Sequence, residues 1–223
     1  MSFVVLPALI PDITDVYSTY FAAFAEDPIT RALFPDTTPE DLQNPESEFR
    51  KSHTKHTLSY WHTSSTQYTL KCVSTSSSAT TTAPFAGMAL LDIYPTPSDW
   101  TVPVIPPSSP PSPATSLLQP LWALRDSLWR AERYVYVHVL AVHPSFQRQG
   151  VGKKLMREAM RIARDAGMPV YVESSRVARG LYEGLGFRKV KGVSVGEKEG
   201  DVTVMVWVPE GAEGSLPGKV VLE

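Results

Sequence analysis

The chain has 223 residues, a formal charge of −2, 43% hydrophobic and 20% charged residues, which suits one domain with a sizeable core and excludes a strongly basic surface for nucleic acid or anionic membrane. Cys72 is the only cysteine, so no intramolecular disulfide framework forms, and an intracellular protein, cytoplasmic or nuclear, is expected. No run approaches the roughly 18 apolar residues of a membrane span, and no membrane partner is expected.

Met1–Ile10 is apolar, lacks a basic start and is interrupted by Pro7; it reads as a first strand. Asp12 or Thr14 then caps a predicted helix in which Val16, Tyr20, Phe21 and Phe24 recur at helical spacing, ending before Asp27-Pro28. Ile29–Phe34 is a short helical turn, and 39–62 is predicted as mostly helical, with Leu42, Phe49, His53, His56 and Tyr60 marking a face. His53, His56 and His62 have no cysteine or clustered carboxylate beside them, so no metal site is expected. Gln67–Ser74 and Phe85–Tyr94 read as two strands, the second almost wholly apolar. Between them, 74–83 is a Ser/Thr/Ala run that cannot bury enough surface to offset its ordering entropy, so a mobile loop is expected. The eight prolines of 95–113 predict a second, extended loop. Leu117–Arg133 returns to helix, with Leu118, Trp122, Leu128 and Trp129 as its apolar payload.

Tyr134–Val142 is predicted as an interior strand because both of its faces are mostly apolar. Val135, Val137, Val139 and Ala141 share one face, and Tyr134, Tyr136, His138, Leu140 and Val142 the other. The strand breaks into Gln147-Arg148-Gln149-Gly150-Val151-Gly152, which opens an amphipathic helix over 151–166 ended by Gly167. Val151, Leu155, Ala159, Ile162 and Ala163 form the apolar stripe of this helix, and Lys153, Lys154, Arg157, Arg161 and Arg164 lie outside it. A strand, a glycine loop and a helix N-terminus together make an anion site, because the first-turn N–H groups and the helix dipole favour phosphate. A pyrophosphate ligand is expected. The spacing fits neither the Walker loop nor the three-glycine dinucleotide fingerprint.

The loop does match a Gln/Arg-x-x-Gly-x-Gly/Ala motif, and a second element follows it: Val170–Ser175, then Ala178-Arg-Gly-Leu-Tyr-Glu-Gly-Leu-Gly-Phe187. Together they closely resemble the GNAT superfamily of N-acetyltransferases over about 134–190. The resemblance implies an α/β (α+β) fold, a mixed, mostly antiparallel sheet flanked by helices. It implies one domain over 1–209, with 210–223, rich in glycine, as a flexible tail. It also implies acetyl-CoA as co-substrate, bound between the strands at 134–142 and 170–175. The strand end Leu140, Ala141 and Val142 would face the thioester, with a backbone N–H near Val142 polarising its carbonyl. Gln147, Arg148, Gln149, Gly150, Val151, Gly152 and Lys153 would take the phosphates, with Ser174 and Tyr182 completing the cofactor contacts.

Acyl transfer to an amine needs a base for the ammonium and an acid for the departing thiolate. The resemblance gives the acid role to Tyr182. The position that holds a glutamate in histone-acetylating members falls on Tyr136, which cannot act as a base at neutral pH. His138, on the same strand face, and Glu173, a carboxylate in an otherwise apolar strand, are the two candidates for the base. A structural alternative stands beside each: His138 as a hydrogen-bonded interior histidine, Glu173 as an ion-pair partner of Arg176 or Arg179. The expected function is acetyl transfer to a primary amine of a small molecule in a ternary complex. The alternative is a non-catalytic acyl-CoA-binding or regulatory protein of the same fold.

Overall fold

The computed structural model describes residues 2–75, 85–96, 112–130, 132–193, 195 and 202–223. Most of the two loops expected from composition, at 74–83 and 95–113, therefore lies outside the described residues. The elements run β1 (Phe3–Pro7), α1 (Ile13–Ala23), α2 (Pro28–Leu33), α3 (Pro39–Gln43), α4 (Glu48–Thr63), β2 (Gln67–Ser74), β3 (Phe85–Tyr94), α5 (Pro113–Trp129) and β4 (Tyr134–Val142). They continue with α6 (Val151–Asp165), β5 (Val170–Ser175), α7 (Arg179–Glu183), β6 (Arg188–Lys189) and β7 (Val202–Trp207). Among the described residues seven strands form one sheet in the order β1-β2-β3-β4-β5-β7-β6. β1 and β2 pair antiparallel, as do β5 with β7 and β6 with β7, whereas β4 and β5 are parallel. This is the mixed, mostly antiparallel α/β architecture expected from the sequence.

The chain divides into two compact units, Met1–Leu91 with Val139–Glu158, and Asp92–His138 with Ala159–Glu223. In the first, Asp12 precedes α1 but makes no side-chain cap; its carboxylate accepts from Leu9 N–H at 2.7 Å and pairs with Lys71 at 2.6 Å. The expected helix over 39–62 is two helices, because Pro45 cannot supply the N–H that a continuous helix needs at that point. α3 carries a Thr38/Asp41 capping box, and Ser47 caps α4 through Arg50 N–H. Arg50 is 1% exposed and donates to the carbonyls of Leu42 and Thr14 and to Ser18 Oγ, fastening α4 to α3 and α1. Phe21, fully buried, packs against Phe34, Phe49 and His53.

In the second unit α5 starts four residues earlier than the apolar pattern indicated: Ser112 caps it through Thr115 N–H, and Pro113 sits in the first turn, where its missing N–H costs nothing. Its inner face buries Leu128 and Trp129 together with Arg125. The strands β5 and β7 supply Tyr171, Val204 and Val206 to the same core. The C-terminal segment departs from the flexible tail expected from its glycines. Val220 is 6% exposed within this core, Lys191 N–H donates to Val221 C=O at 2.8 Å, and Glu223 N–H donates to Lys189 C=O at 3.0 Å. Alternating apolar residues at 220 and 222 outweigh the local glycine content.

Candidate active site

The first unit builds the glycine loop. β4 ends at Val142, His143 N–H donates to Ala86 C=O, and a short 3-10 turn over Pro144–Phe146 leads into the loop. His143 Nδ1 accepts from Ser145 N–H, Gln147 Nε2 donates to Val142 C=O, and Gln149 Nε2 donates to Ser145 C=O. Two glutamine side chains of the motif therefore brace the loop's own backbone. Arg148 (φ 62°) and Gly150 (φ 85°) both adopt left-handed conformations, the former being unusual for a residue with a side chain. The first bond inside α6 is Lys154 N–H to Gly150 C=O. The amides of Val151, Gly152 and Lys153 consequently have no carbonyl one turn behind them within the helix.

This loop fits a phosphate-bearing ligand. A Cβ built on Gly150 meets nothing within 4 Å, so the space beside the turn is open, and Gln147, Arg148, Gln149, Gly150 and Lys153 are exposed. Val151 and Leu155 are buried beneath them and fix the start of α6 against β3. Gly87 makes that contact possible: a Cβ there would stand 2.8 Å from Val151 Cγ1 and 2.9 Å from Ala141 C=O. Leu140 and Val142 are half-buried and Ala141 is buried. The basic face of α6 is exposed at Lys153, Lys154, Arg157, Arg161 and Arg164, with Arg161 paired to Asp165 at 2.7 Å.

The second unit holds every proton-handling candidate. The parallel pairing of β4 with β5 covers Val135–Val137 against Val170–Val172 and goes no further, although β5 runs on to Ser175. Ser174 is buried and its hydroxyl donates to Ser175 C=O. α7 follows, and its Tyr182 is 5% exposed, edge-on to Phe187 at 5.3 Å. Gly186, at φ 86°, makes the turn after α7, letting Phe187 N–H return to Tyr182 C=O at 3.0 Å. Burial raises the Tyr182 phenol well above its ordinary value, so it stays protonated at neutral pH. Its hydroxyl has no hydrogen-bond partner among the described residues.

Glu173 and His138, the two candidate bases, have opposite environments. Glu173 is clamped: Tyr136 O–H donates to Oε2 at 2.9 Å and Tyr171 O–H to Oε1 at 3.0 Å. Desolvation lifts its carboxyl above the usual range, opposed chiefly by the charge of Arg125 and then by the two phenols. The same carboxylate, together with burial, pushes both phenols up, so they act as donors. Among the described residues neither expected ion-pair partner, Arg176 or Arg179, reaches it; the Arg179 guanidinium donates to Thr203 Oγ1 at 2.6 Å. His138 is not an interior histidine. Its side chain is 54% exposed, its ring stacks on Tyr136 at 5.3 Å, and Nδ1 lies 3.5 Å from Asp92 Oδ2.

Two residues of this cluster escaped the sequence reading. Arg125 is 6% exposed on α5 and places its guanidinium carbon 4.2 Å from the centroid of the Tyr136 ring. Asp92 is 5% exposed on β3 and is the only charged residue in that strand, a signal present in the sequence. Among the described residues no group of three or more His, Cys, Asp or Glu is arranged to hold a metal ion, and no helix is long and apolar enough to cross a membrane.

Residues 114–187 match the model of the acetyltransferase (GNAT) family. The chain matches no curated protein. Among solved structures it is similar to a mosquito arylalkylamine N-acetyltransferase-like protein 5b, with TM-score 0.61 and 15% identity over 93% of this chain and 100% of that one. Arylalkylamine N-acetyltransferase 2 from Aedes aegypti gives 0.58 and 14% over 93% and 99%. The histone acetyltransferase HPA2 and related acetyltransferase from Corynebacterium glutamicum gives 0.58 and 20% over 94% and 97%. The chain thus has the fold of these acetyltransferase structures, and its residues 114–187 match the GNAT family's model.

Proposed function

We propose that the protein is an acetyl-CoA-dependent N-acetyltransferase acting on a primary amine of a small molecule. The observation that carries this reading is Tyr182: a buried phenol, kept protonated, whose hydroxyl has no acceptor among the described residues. A phenol in that state can give its proton to a leaving thiolate.

The acyl donor is a substrate here. Its pyrophosphate is taken by the first-turn amides of α6, at Val151, Gly152 and Lys153, and by the open turn at Gly150, with Arg148 and Lys153 adding positive charge. The end of β4, at Leu140, Ala141 and Val142, and Ser174 on β5 are the remaining contacts assigned to the donor. As the amine nitrogen bonds to the acyl carbon and the carbon–sulfur bond breaks, His138 accepts the proton lost by nitrogen and Tyr182 supplies the proton gained by sulfur. His138 suits that task because more than half of its side chain is accessible, whereas both Glu173 oxygens already accept from phenols. Glu173 then acts through Tyr136, locking the ring on which His138 stacks. Substitution of Tyr136 for the family's glutamate favours a small amine over a histone tail, and the names of two fold neighbours suggest arylalkylamines as the first acceptors to try.

The test is thiol release from acetyl-CoA across arylalkylamines, polyamines and peptide N-termini, with Tyr182→Phe and His138→Ala beside the wild type. Amine-dependent release that falls at least tenfold in Tyr182→Phe, with unchanged CoA affinity, supports the assignment. Saturable CoA binding without turnover on any amine would overturn it in favour of the binding protein.

A further inference from the structure

We infer that Asp92 is a positioning residue for His138: it holds the imidazole through Nδ1, presents Nε2 to the acceptor, and stabilises the imidazolium formed when the proton arrives. The inference rests on the reading of the chain as an N-acetyltransferase in which His138 is the base. It begins from a cost. Asp92 lies in Phe85–Tyr94, whose other residues carry no charge, and its side chain is 8% exposed. A carboxylate removed from water in this way requires a partner. Among the described residues the one group within ion-pair distance is His138, whose Nδ1 is 3.5 Å from Oδ2.

Of the other charges facing this pair, Glu173 on β5 also acts on His138, and its two oxygens already accept from Tyr136 and Tyr171. On α5, Arg125 acts on Glu173 of β5, whose carboxyl it draws back down against desolvation. Asp126, also on α5, is paired with Arg130. On β4, Tyr136 is committed as a donor to Glu173 and carries no charge of its own. Asp92 on β3 is therefore left to the imidazole. The exposures are asymmetric in the way the chemistry requires: the carboxylate is enclosed and the ring is 54% open, so one face of His138 is fixed from below and the other remains available. Stacking on Tyr136 at 5.3 Å, with ring planes 23° apart, sets the remaining rotation. Nδ1 is the ring nitrogen beside the carboxylate; if the neutral ring keeps its proton there, the lone pair that can take a proton is on Nε2. The proton leaves the attacking amine, binds Nε2 and creates a cation 3.5 Å or less from a fixed anion. No other group need move.

A residue that only packs would not change the chemistry of its neighbour, and three readouts separate the roles. In ligand-free protein labelled with 15N-histidine, His138, assigned by comparison with His138→Gln, is expected as the Nδ1–H tautomer, and Asp92→Ala is expected to lose that preference. This arm needs no turnover, so it decides the pair even where no acetylated amine has been found. In the active enzyme, Asp92→Asn removes the charge at constant shape. It should lower kcat/KM about tenfold, a part of the roughly 10²- to 10⁴-fold that a base supplies. In a His138→Ala background the same Asp92→Asn change should alter kcat/KM less than twofold, because Asp92 acts through the imidazole. An unchanged tautomer in Asp92→Ala, or an unchanged kcat/KM in Asp92→Asn, would overturn the inference. Loss of rate from Asp92→Asn that persists undiminished without His138 would do so too, by showing a structural role. If His138→Ala is fully active while Tyr182→Phe is not, the base assignment fails and the transferase reading stands.

Discussion

Gly87→Ala sets two effects of similar size against each other, and the geometry decides the sign. Replacing glycine by alanine in a strand narrows the unfolded ensemble and stabilises by about 0.4–1 kcal/mol where the native backbone tolerates it. Here the new methyl would stand 2.8 Å from Val151 Cγ1, 2.9 Å from Ala141 C=O and 3.1 Å from Leu155 Cδ1. Val151 is β-branched, 1% exposed and stiff at χ1, so its methyl cannot swing aside. The Ala141 oxygen is backbone in the neighbouring strand and cannot move without β4. Relief must come from displacing the start of α6 and the strand by a few tenths of an ångström, and overpacking of this kind costs about 1–3 kcal/mol.

The net expectation is a loss of about 1–2 kcal/mol. With a urea slope of about 1–3 kcal/mol per molar, the unfolding midpoint followed by circular dichroism should fall by about 0.3–2 M at constant slope. Because Val151 follows Gly150 directly, the displacement also moves the loop amides, and CoA binding by calorimetry should weaken several-fold. The double variant Gly87→Ala/Val151→Ala should regain no more than part of the loss, as the contact with Ala141 C=O remains. A midpoint equal to or above wild type in Gly87→Ala would refute the reasoning, showing that β3 and α6 are not held together at this glycine.

Gly150→Glu should abolish retention on CoA resin with an unchanged far-UV spectrum: the open space at Gly150 accepts the side chain, but its charge opposes phosphate and the φ of 85° adds a strain of about 1–2 kcal/mol. Burial among Tyr17, Phe21, Phe34 and Phe49 lowers His53 from 6.5 to about 4, so between these values the unfolded chain binds the proton and the folded chain does not. Stability should therefore decline as pH falls from 6.5 towards 4, by about 1–2 kcal/mol after allowing for partial exposure, and the chemical-denaturation curve of His53→Phe should lack that component. The same substitution should not destabilise at pH 7, since His53 Nε2 is buried without a hydrogen-bond partner among the described residues. Cys72, fully buried and raised to about 11 by desolvation, should react with a disulfide reagent only after denaturation; stoichiometric labelling of the native protein would contradict its placement in the core.

What the sequence disclosed and what it hid follow from one physical distinction. Glycine at positive φ has few substitutes, so the loop at Gly150, the terminator Gly167 at φ 62° and the turn at Gly186 were legible from residue type. The strand β4 and the helix α6 were legible from period, because each buries one or two continuous apolar faces. Pro45 was equally legible as a break and was overridden by the apolar spacing across it. The buried charges were not legible by pattern. Hydropathy sends Arg50, Arg125 and Asp92 outward, and only three-dimensional partners bring them in: carbonyls from two other helices for Arg50, the Tyr136 face for Arg125, the His138 ring for Asp92. The proposed mechanism depends on this blind spot. A group that must exchange a proton works best when its surroundings are fixed and its charge is uncompensated until the proton moves, and those conditions require burying a polar residue where a period would place an apolar one. In β3, Asp92 breaks an apolar run; in β5, Glu173 does the same between Val172 and Ser174. The two carboxylates nevertheless serve different ends. Glu173 spends its acceptor capacity on Tyr136 and Tyr171, whereas Asp92 keeps its own for an imidazole that is open to solvent on its other side.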